Sequence, residues 1–347
     1  MKKIYLILFC NLLVFCLAML FAKVTFASQY ESYLKYNNSA KAFSGVYQSD
    51  GKAIDVDSNL NSEGTEFPEY YVDFREKTYE PGKITVNDSS FVISSALQTK
   101  ILDNISSFGT GASFLIVNLK DGMSIGYNVD RSFETASSIK APYALYVYRE
   151  IAKGNIDPNM MVTYQAKHYN KGTGITKNSP FGTEFSVAQL LYNSLHYSDN
   201  VAHTMLHSTF GVKGYNDMLD ALGVEKLHLT IGNPWGYTNA RSAAIVWQDI
   251  YNFSLENEYG IEMFNILSNN QYSYFKKVRP DLPSAGKAGF AYTSVLENGV
   301  IFDQTPYLAM VNTNVGGNWS ADDEVIKLIS FVDEIMQEYY AYLASTP

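Results

Sequence analysis

The chain has 347 residues, ample for one large domain or two small ones. Hydrophobic residues make up 46% and charged residues 18%, which fits a folded globular protein and argues against a disordered one. A net charge of −9, with no basic stripe or tail, argues against nucleic acid as the main partner.

In chain order, the first element predicted is an export segment over residues 1–27. Lys2 and Lys3 form a positive start. Ile4 to Ala22 is apolar apart from Asn11, and Thr25-Phe26-Ala27 offers small residues where a signal peptidase reads. Cleavage after Ala27 is one reading. The other is an uncleaved anchor, because the apolar run is nearly long enough to span a bilayer. Under both, the remaining chain lies outside the cytoplasm, secreted or anchored on the outer face of the cytoplasmic membrane. Both cysteines, Cys10 and Cys16, fall in this segment, so the body has no disulfide or thiolate metal site. Phe15 before Cys16 fits poorly with a lipoprotein cleavage site.

Residues 28–91 read as an extension or tether. They are rich in Ser, Asn, Asp, Glu and Tyr, and Gly51, Gly64, Pro68, Pro81 and Gly82 break any period. Short strands are expected around Tyr70–Phe74. The sequence shows no internal repeat.

From residue 92 to 347 the pattern predicts one α+β domain, with an antiparallel sheet built from both chain ends and a helical subdomain between them. Leu97, Ile101, Leu102 and Ile105 follow a helical period. Ala112 to Leu119 reads as a strand, Lys120-Asp121-Gly122 as a hairpin turn, and Met123 to Tyr127 as the return strand. A helix carrying Ser137 near its start runs on through Tyr148, with Pro142 slightly inside its first turn. Ser186 to Gln189 forms a capping box, opening a helix with Val187, Leu190, Leu191 and Leu195 on one face. Another helix begins near Asn200, and a third, with Tyr215, Met218, Leu219 and Leu222, closes at Gly223. Lys287–Thr293, Val295–Phe302 and Tyr307–Thr313 read as strands, with Asn298-Gly299 and Pro306 as dividers. A closing helix follows Ser320, with Asp322, Asp323 and Glu324 at its N-terminal dipole.

Three short motifs carry the chemistry: Ser137-Ser138-Ile139-Lys140, Ser198-Asp199-Asn200 and Lys287-Ala288-Gly289. Ser137 and Lys140, three apart on a helix, share a face. A serine needs a neighbouring base to become a nucleophile, and a desolvated lysine can supply it. The order and spacing of the three motifs matter more than any one, since Ser273 to Lys276 repeats the first pattern alone. Taken singly, Ser137 is an ordinary helix cap, Lys140 a solvated lysine, Ser198 to Asn200 turn residues, and Lys287 an edge-strand charge.

With the runs Ala136 to Pro142 and Tyr197 to Ala202, the set resembles the penicillin-recognising serine enzymes, most closely the class A β-lactamases, over roughly residues 92–343. The resemblance implies a β-lactamase/transpeptidase-like fold and an acyl-enzyme on Ser137. It makes Lys140 the base and Ser198 a proton relay to the leaving nitrogen. It has Asn200 hold the substrate amide and Lys287 attract a carboxylate, with Gly289 and Phe290 completing the substrate-binding set. The oxyanion hole would be the backbone N–H groups of Ser137 and Phe290. The implied substrate is a β-lactam or a cell-wall peptide, and the protein is expected to be a monomer without cofactor or metal. His203 and His207 have metal-ligand spacing but no third ligand in view.

Two departures bear on activity. Ala288 replaces the usual hydroxyl residue of the third motif. Residues 226–248 contain no Asp or Glu, although class A enzymes carry a water-activating glutamate on this loop; Glu225 sits too early, where a helix meets a strand. Slow clearance of the acyl-enzyme is therefore expected. The alternatives are a D,D-peptidase and a non-catalytic module that binds peptidoglycan or a partner.

Overall fold

The structure is a computed structural model that describes residues 74–346 apart from positions 88, 110 and 316–321. The export segment, most of the extension and the strands expected around Tyr70 lie outside the described residues.

The frame is a six-stranded antiparallel sheet. Its strands are β1 (Thr85–Asn87), β2 (Ala112–Asn118), β3 (Ser124–Tyr127), β8 (Ser284–Phe290), β9 (Ser294–Phe302) and β10 (Pro306–Asn314), in the spatial order β1-β3-β2-β10-β9-β8. The pairing of β2 with β10, in the register Leu115↔Met310, joins the two ends of the domain. All seven residues of β2 are buried, because helices cover both faces of the sheet. Alternation sorts them: Phe114 and Ile116 join one apolar cluster, and Leu115 and Val117 the other. Each such aliphatic side chain contributes roughly 1.5–3 kcal/mol when taken from water.

Helix α1 (Ser95–Ser106) lies on the first face with α9 (Asp322–Ser345). Leu102, expected on the buried stripe of α1, is instead exposed. The second face carries the helical subdomain. This holds α2 (Lys140–Ala152), α3 (Val187–His196), α4 (Asn200–Phe210), α5 (Lys213–Ala221), α6 (Ala240–Glu256) and α7 (Glu258–Ser268). Short pairs complete it, β5 (Met161–Thr163) with β6 (Glu184–Ser186) and β4 (Phe133–Glu134) with β7 (Tyr237–Thr238). A one-turn helix, α8 (Phe275–Val278), precedes β8. The family fold expected from the sequence is present.

Four expectations change. Residues 74–87, assigned to the extension, belong to the body: β1 pairs with β3, and Phe74 and Tyr79 are buried in its core. Asn298-Gly299 is not a divider but the middle of β9, paired with Gly286 and Lys287. A Cβ on Gly299 would lie 2.2 Å from the Ala285 carbonyl oxygen, so the glycine serves close strand approach, not a turn. The first of the three C-terminal strands starts earlier, at Ser284, and the turn after it is Ala291–Thr293. Ser137 lies in a 3₁₀ turn, Ala136–Ile139, and the α-helix begins only at Lys140. Pro142 thus falls in the first α-turn, where an N–H has no intrahelical partner to lose. Helices α6 and α7 have no counterpart among the expected elements.

Candidate active site

The three motifs come from three different elements and meet at one point. The chain leaves β4 and turns sharply at Ala136, whose φ is 45°, into the 3₁₀ turn that presents Ser137. Lys140, one turn on, is fully buried. Its Nζ lies 2.8 Å from Ser137 Oγ, 2.6 Å from the Ser198 carbonyl oxygen, 2.6 Å from Asn200 Oδ1 and 3.3 Å from Ser198 Oγ. The solvated-lysine alternative fails at this position.

This geometry accommodates a neutral amine. The carbonyl oxygens of Ser198 and Asn200 can only accept, so they take two N–H bonds from the amine. In the neutral amine these two bonds use both hydrogens and leave the lone pair for the Ser137 hydroxyl, whereas an ammonium would give its third N–H to Ser137 Oγ, so burial decides between them. Burial lowers the Lys140 pKa well below its ordinary value, and the Lys287 charge lowers it further, while Asp199 opposes. The Trp235 ring stands 5.5 Å from Nζ. A cation–π contact would favour the charged amine by about 0.5–2 kcal/mol. Full burial of an amine can shift it by about 3–5 pKa units, so desolvation wins.

Ser198 has a left-handed backbone, φ 52°, which costs a non-glycine residue roughly 1 kcal/mol. Its carbonyl is held by Lys140 and by Thr173 Oγ1, 2.6 Å away. Asp199 caps α4: Oδ1 accepts from the Ala202 N–H, and Oδ2 accepts from the N–H groups of Ile175 and Thr176. It braces the junction with both carboxylate oxygens engaged.

Lys287 is buried on the edge strand β8, not solvated. Its Nζ contacts Ser198 Oγ at 2.9 Å and the Ala288 carbonyl at 3.0 Å. The Ser198 hydroxyl therefore bridges two amines. Burial lowers the Lys287 pKa to about 7, against a raising contribution from Glu297.

Gly289 has a steric role: a Cβ there would meet the Thr135 carbonyl oxygen at 2.6 Å and the Ser138 nitrogen at 2.8 Å. Only a glycine lets β8 press against the serine-bearing turn. The Ala291 N–H bonds the Ser294 carbonyl, so by antiparallel alternation the Phe290 N–H points off the sheet edge. Its neighbour Gly289 is the residue packed on the Ser137 turn. The Ala288 methyl is buried in the other apolar cluster, beside Phe275.

Sequence reasoning missed the 170–176 segment. Asn170 Oδ1 accepts from Asn200 Nδ2 at 3.1 Å, and Thr173 supplies its hydroxyl and carbonyl. A Cβ on Gly174, φ 112°, would lie 2.2 Å from Asp199 Cγ. The glycines and asparagine here were the available signal, but polar loops look alike until one is packed on a site. Glu297 was missed too. It is buried on β9 opposite Ala288, accepts from the Tyr274 and Phe275 N–H groups, and burial pushes its pKa up to about 7.

His203 and His207 are both buried, and no cluster of metal-ligating side chains occurs among the described residues. Glu225 is exposed in the loop after α5, where no strand forms. A second serine–histidine pair, Ser208 and His168 at 3.0 Å, is not activated. The Gln165 N–H occupies His168 Nδ1, so Nε2 carries the proton and donates to Ser208.

The family model described as the beta-lactamase enzyme family matches residues 96–339. The chain belongs to that family, within the penicillin-recognising serine enzymes whose fold it shares. A β-lactamase from Sphaerobacter thermophilus superposes with a TM-score of 0.62 at 21% identity, covering 69% of this chain and 97% of that one. A mutant of PBP-A, solved as its acyl-enzyme complex with penicillin G, gives 0.63 at 18% identity, with 70% and 97% covered. A β-lactamase from Xanthomonas campestris gives 0.61 at 18% identity, with 70% and 97% covered. No curated protein matches the chain.

Proposed function

We propose that the protein is an exported serine hydrolase that opens β-lactam or related amide bonds through an acyl-enzyme on Ser137. The observation that carries this reading is the Lys140 amine. Two carbonyl acceptors hold it 2.8 Å from Ser137 Oγ, and burial favours its neutral form, whose lone pair can serve the hydroxyl. Lys140 takes the serine proton as Oγ attacks the amide carbon. The oxyanion that forms is met by the N–H groups of Ser137 and Phe290. The Ser198 hydroxyl, shared between Lys140 and Lys287, passes a proton to the leaving nitrogen. Asn200 orients the substrate amide, and charged Lys287 draws its carboxylate.

Deacylation is the slow half. No carboxylate lies in residues 226–248, and those near the site are engaged elsewhere. Asp199 is held by three N–H groups, and Glu134 accepts from Thr293 Oγ1 at 2.7 Å. The same features support a D,D-peptidase reading, in which a cell-wall peptide replaces the β-lactam in one machinery. A retired binding module would have no need of a neutral buried lysine aimed at a serine.

The test is intact-protein mass spectrometry after exposure to a penicillin. One adduct is expected, absent in Ser137→Ala and retained in Ser273→Ala. An adduct that survives Ser137→Ala, or that maps to Ser273, overturns the assignment.

A further inference from the structure

The two histidines on α4 have no place in the chemistry above, yet they lie directly beneath the loop that covers Lys140. His203 Nε2 is 2.9 Å from the Pro234 carbonyl oxygen. A carbonyl only accepts, so Nε2 carries the proton and the tautomer is determined. His203 Nδ1 is buried with no hydrogen-bond partner, its ring edge-on to Tyr143 and 5.3 Å from the Trp235 ring. A second proton would enter an apolar pocket near Lys140, and burial pushes the imidazole pKa down to about 3. The ring therefore stays neutral and its bond to the loop persists at ordinary pH. One helical turn on, His207 is also buried.

The loop itself is short and self-braced. Thr230 pairs with Asn233, Gly232 has φ 80°, and Asn233 Oδ1 accepts from the Trp235 N–H. On the far side of Pro234, Trp235 lies over Lys140 Nζ. Gly236 then exchanges hydrogen bonds with Thr135, two residues before the nucleophile. Pro234, Trp235 and Gly236 thus connect α4, the amine and the serine turn in three consecutive residues.

We propose that His203 is a positioning residue: by donating to the Pro234 carbonyl it latches the 230–236 loop, seating Trp235 over Lys140 and keeping the amine out of water. It touches neither substrate nor reacting atoms and acts through Trp235. The inference rests on the reading of Lys140 as the base. Without the latch the loop lifts, water reaches Nζ, and the amine takes up a proton that removes it as a base.

The test compares the parent with His203→Phe, which keeps the ring and loses the donor, and His203→Gln, whose amide nitrogen replaces Nε2. Protein labelled with 5-fluorotryptophan, with the Trp235 resonance assigned by Trp235→Phe, reads loop seating without any substrate. Lysine 13Cε resonances read the Lys140 titration. In His203→Phe the Trp235 resonance should move, and the Lys140 midpoint should rise by about one pH unit. The acylation rate constant should fall about tenfold, with penicillin affinity little changed. Gln should restore all three. A Trp235 resonance unmoved in His203→Phe overturns the latch, as does one that moves while Lys140 and acylation stay as in the parent. If His203→Phe does not fold, Trp235→Ala must raise the Lys140 midpoint with His203 intact, and an unchanged midpoint overturns the inference. A parent that takes no penicillin sinks the proposed function alone, because the two resonances still test the latch.

Discussion

Two buried amines share one serine hydroxyl, and the tasks proposed for them require opposite charge states. Lys140 must be neutral to take a proton, whereas Lys287 must be charged to draw a carboxylate. Burial lowers both, and the Lys287 charge depresses Lys140 further. The sign for acylation follows. At low pH both amines are protonated and Ser137 has no base. As pH rises through the lowered Lys140 value, acylation rises. Above about 7 free Lys287 loses its charge and substrate capture weakens. The second-order acylation constant should therefore be bell-shaped, with a falling limb near neutrality instead of near an ordinary lysine value. Lys287→Met should abolish the falling limb and lower the constant on the acid side. Lys140→Ala should remove acylation while leaving the melting temperature within a few degrees or raising it, since a buried amine is costly to hold. Stopped-flow acylation from pH 5 to 10 checks both variants; a profile that still climbs past pH 9 would contradict them.

Among the elements, α6 ties the start of the described chain to the body. Asn239 caps the helix by accepting from the Ser242 N–H at 2.7 Å. Arg241, in the first turn, donates to the carbonyls of Phe74, Arg75 and Lys77 and pairs with Asp130. Its guanidinium also stands 5.3 Å from the Tyr79 ring. One planar cation thus gathers three backbone carbonyls of this segment onto the body. Arg241→Ala leaves three carbonyls and a carboxylate without it. A loss of about 2–4 kcal/mol is expected, by chemical denaturation. Limited proteolysis should cut within residues 74–84 before the core opens. Equal stability and an uncut segment would show that the packing of Phe74 and Tyr79 suffices.

At the scale of the whole molecule, the sheet stands between two apolar clusters and its edge strand β8 faces the helical subdomain. The proposed nucleophile Ser137 lies at that junction, and the nearby carboxylates of Asp199 and Glu134 are hydrogen-bonded. A chromogenic cephalosporin should thus give a burst of about one equivalent followed by a slow steady phase. Placing a glutamate elsewhere in the 230–237 loop, with Pro234 and Trp235 kept, should speed the slow phase only if the carboxylate reaches the acyl carbon, and most placements will gain little. Rapid turnover without a burst would show that Lys140 itself activates the deacylating water.

By itself the sequence determined most of the order of elements, though not the helices of residues 240–268, together with the α+β layout and the three motifs. These are local or periodic properties: a hairpin at Lys120 to Gly122, the stripe of α9, a serine three residues from a lysine. Where local signals conflict with packing, it misled. Asn298-Gly299 has turn chemistry, yet Gly299 serves the close approach of β8 to β9. Residues 74–87 are polar and broken by Pro81 and Gly82, yet they join the body through β1, Phe74 and Arg241. Only the tertiary structure decided that Lys140 and Lys287 are buried, that Asn170 and Thr173 support Asn200 and Ser198, and that His203 holds the loop over the amine. A residue's type sets what chemistry it can do. Its protonation, its partners and its access to water depend on neighbours distant in the chain, and those exist only once the sheet has brought residues 112–127 and 284–314 together.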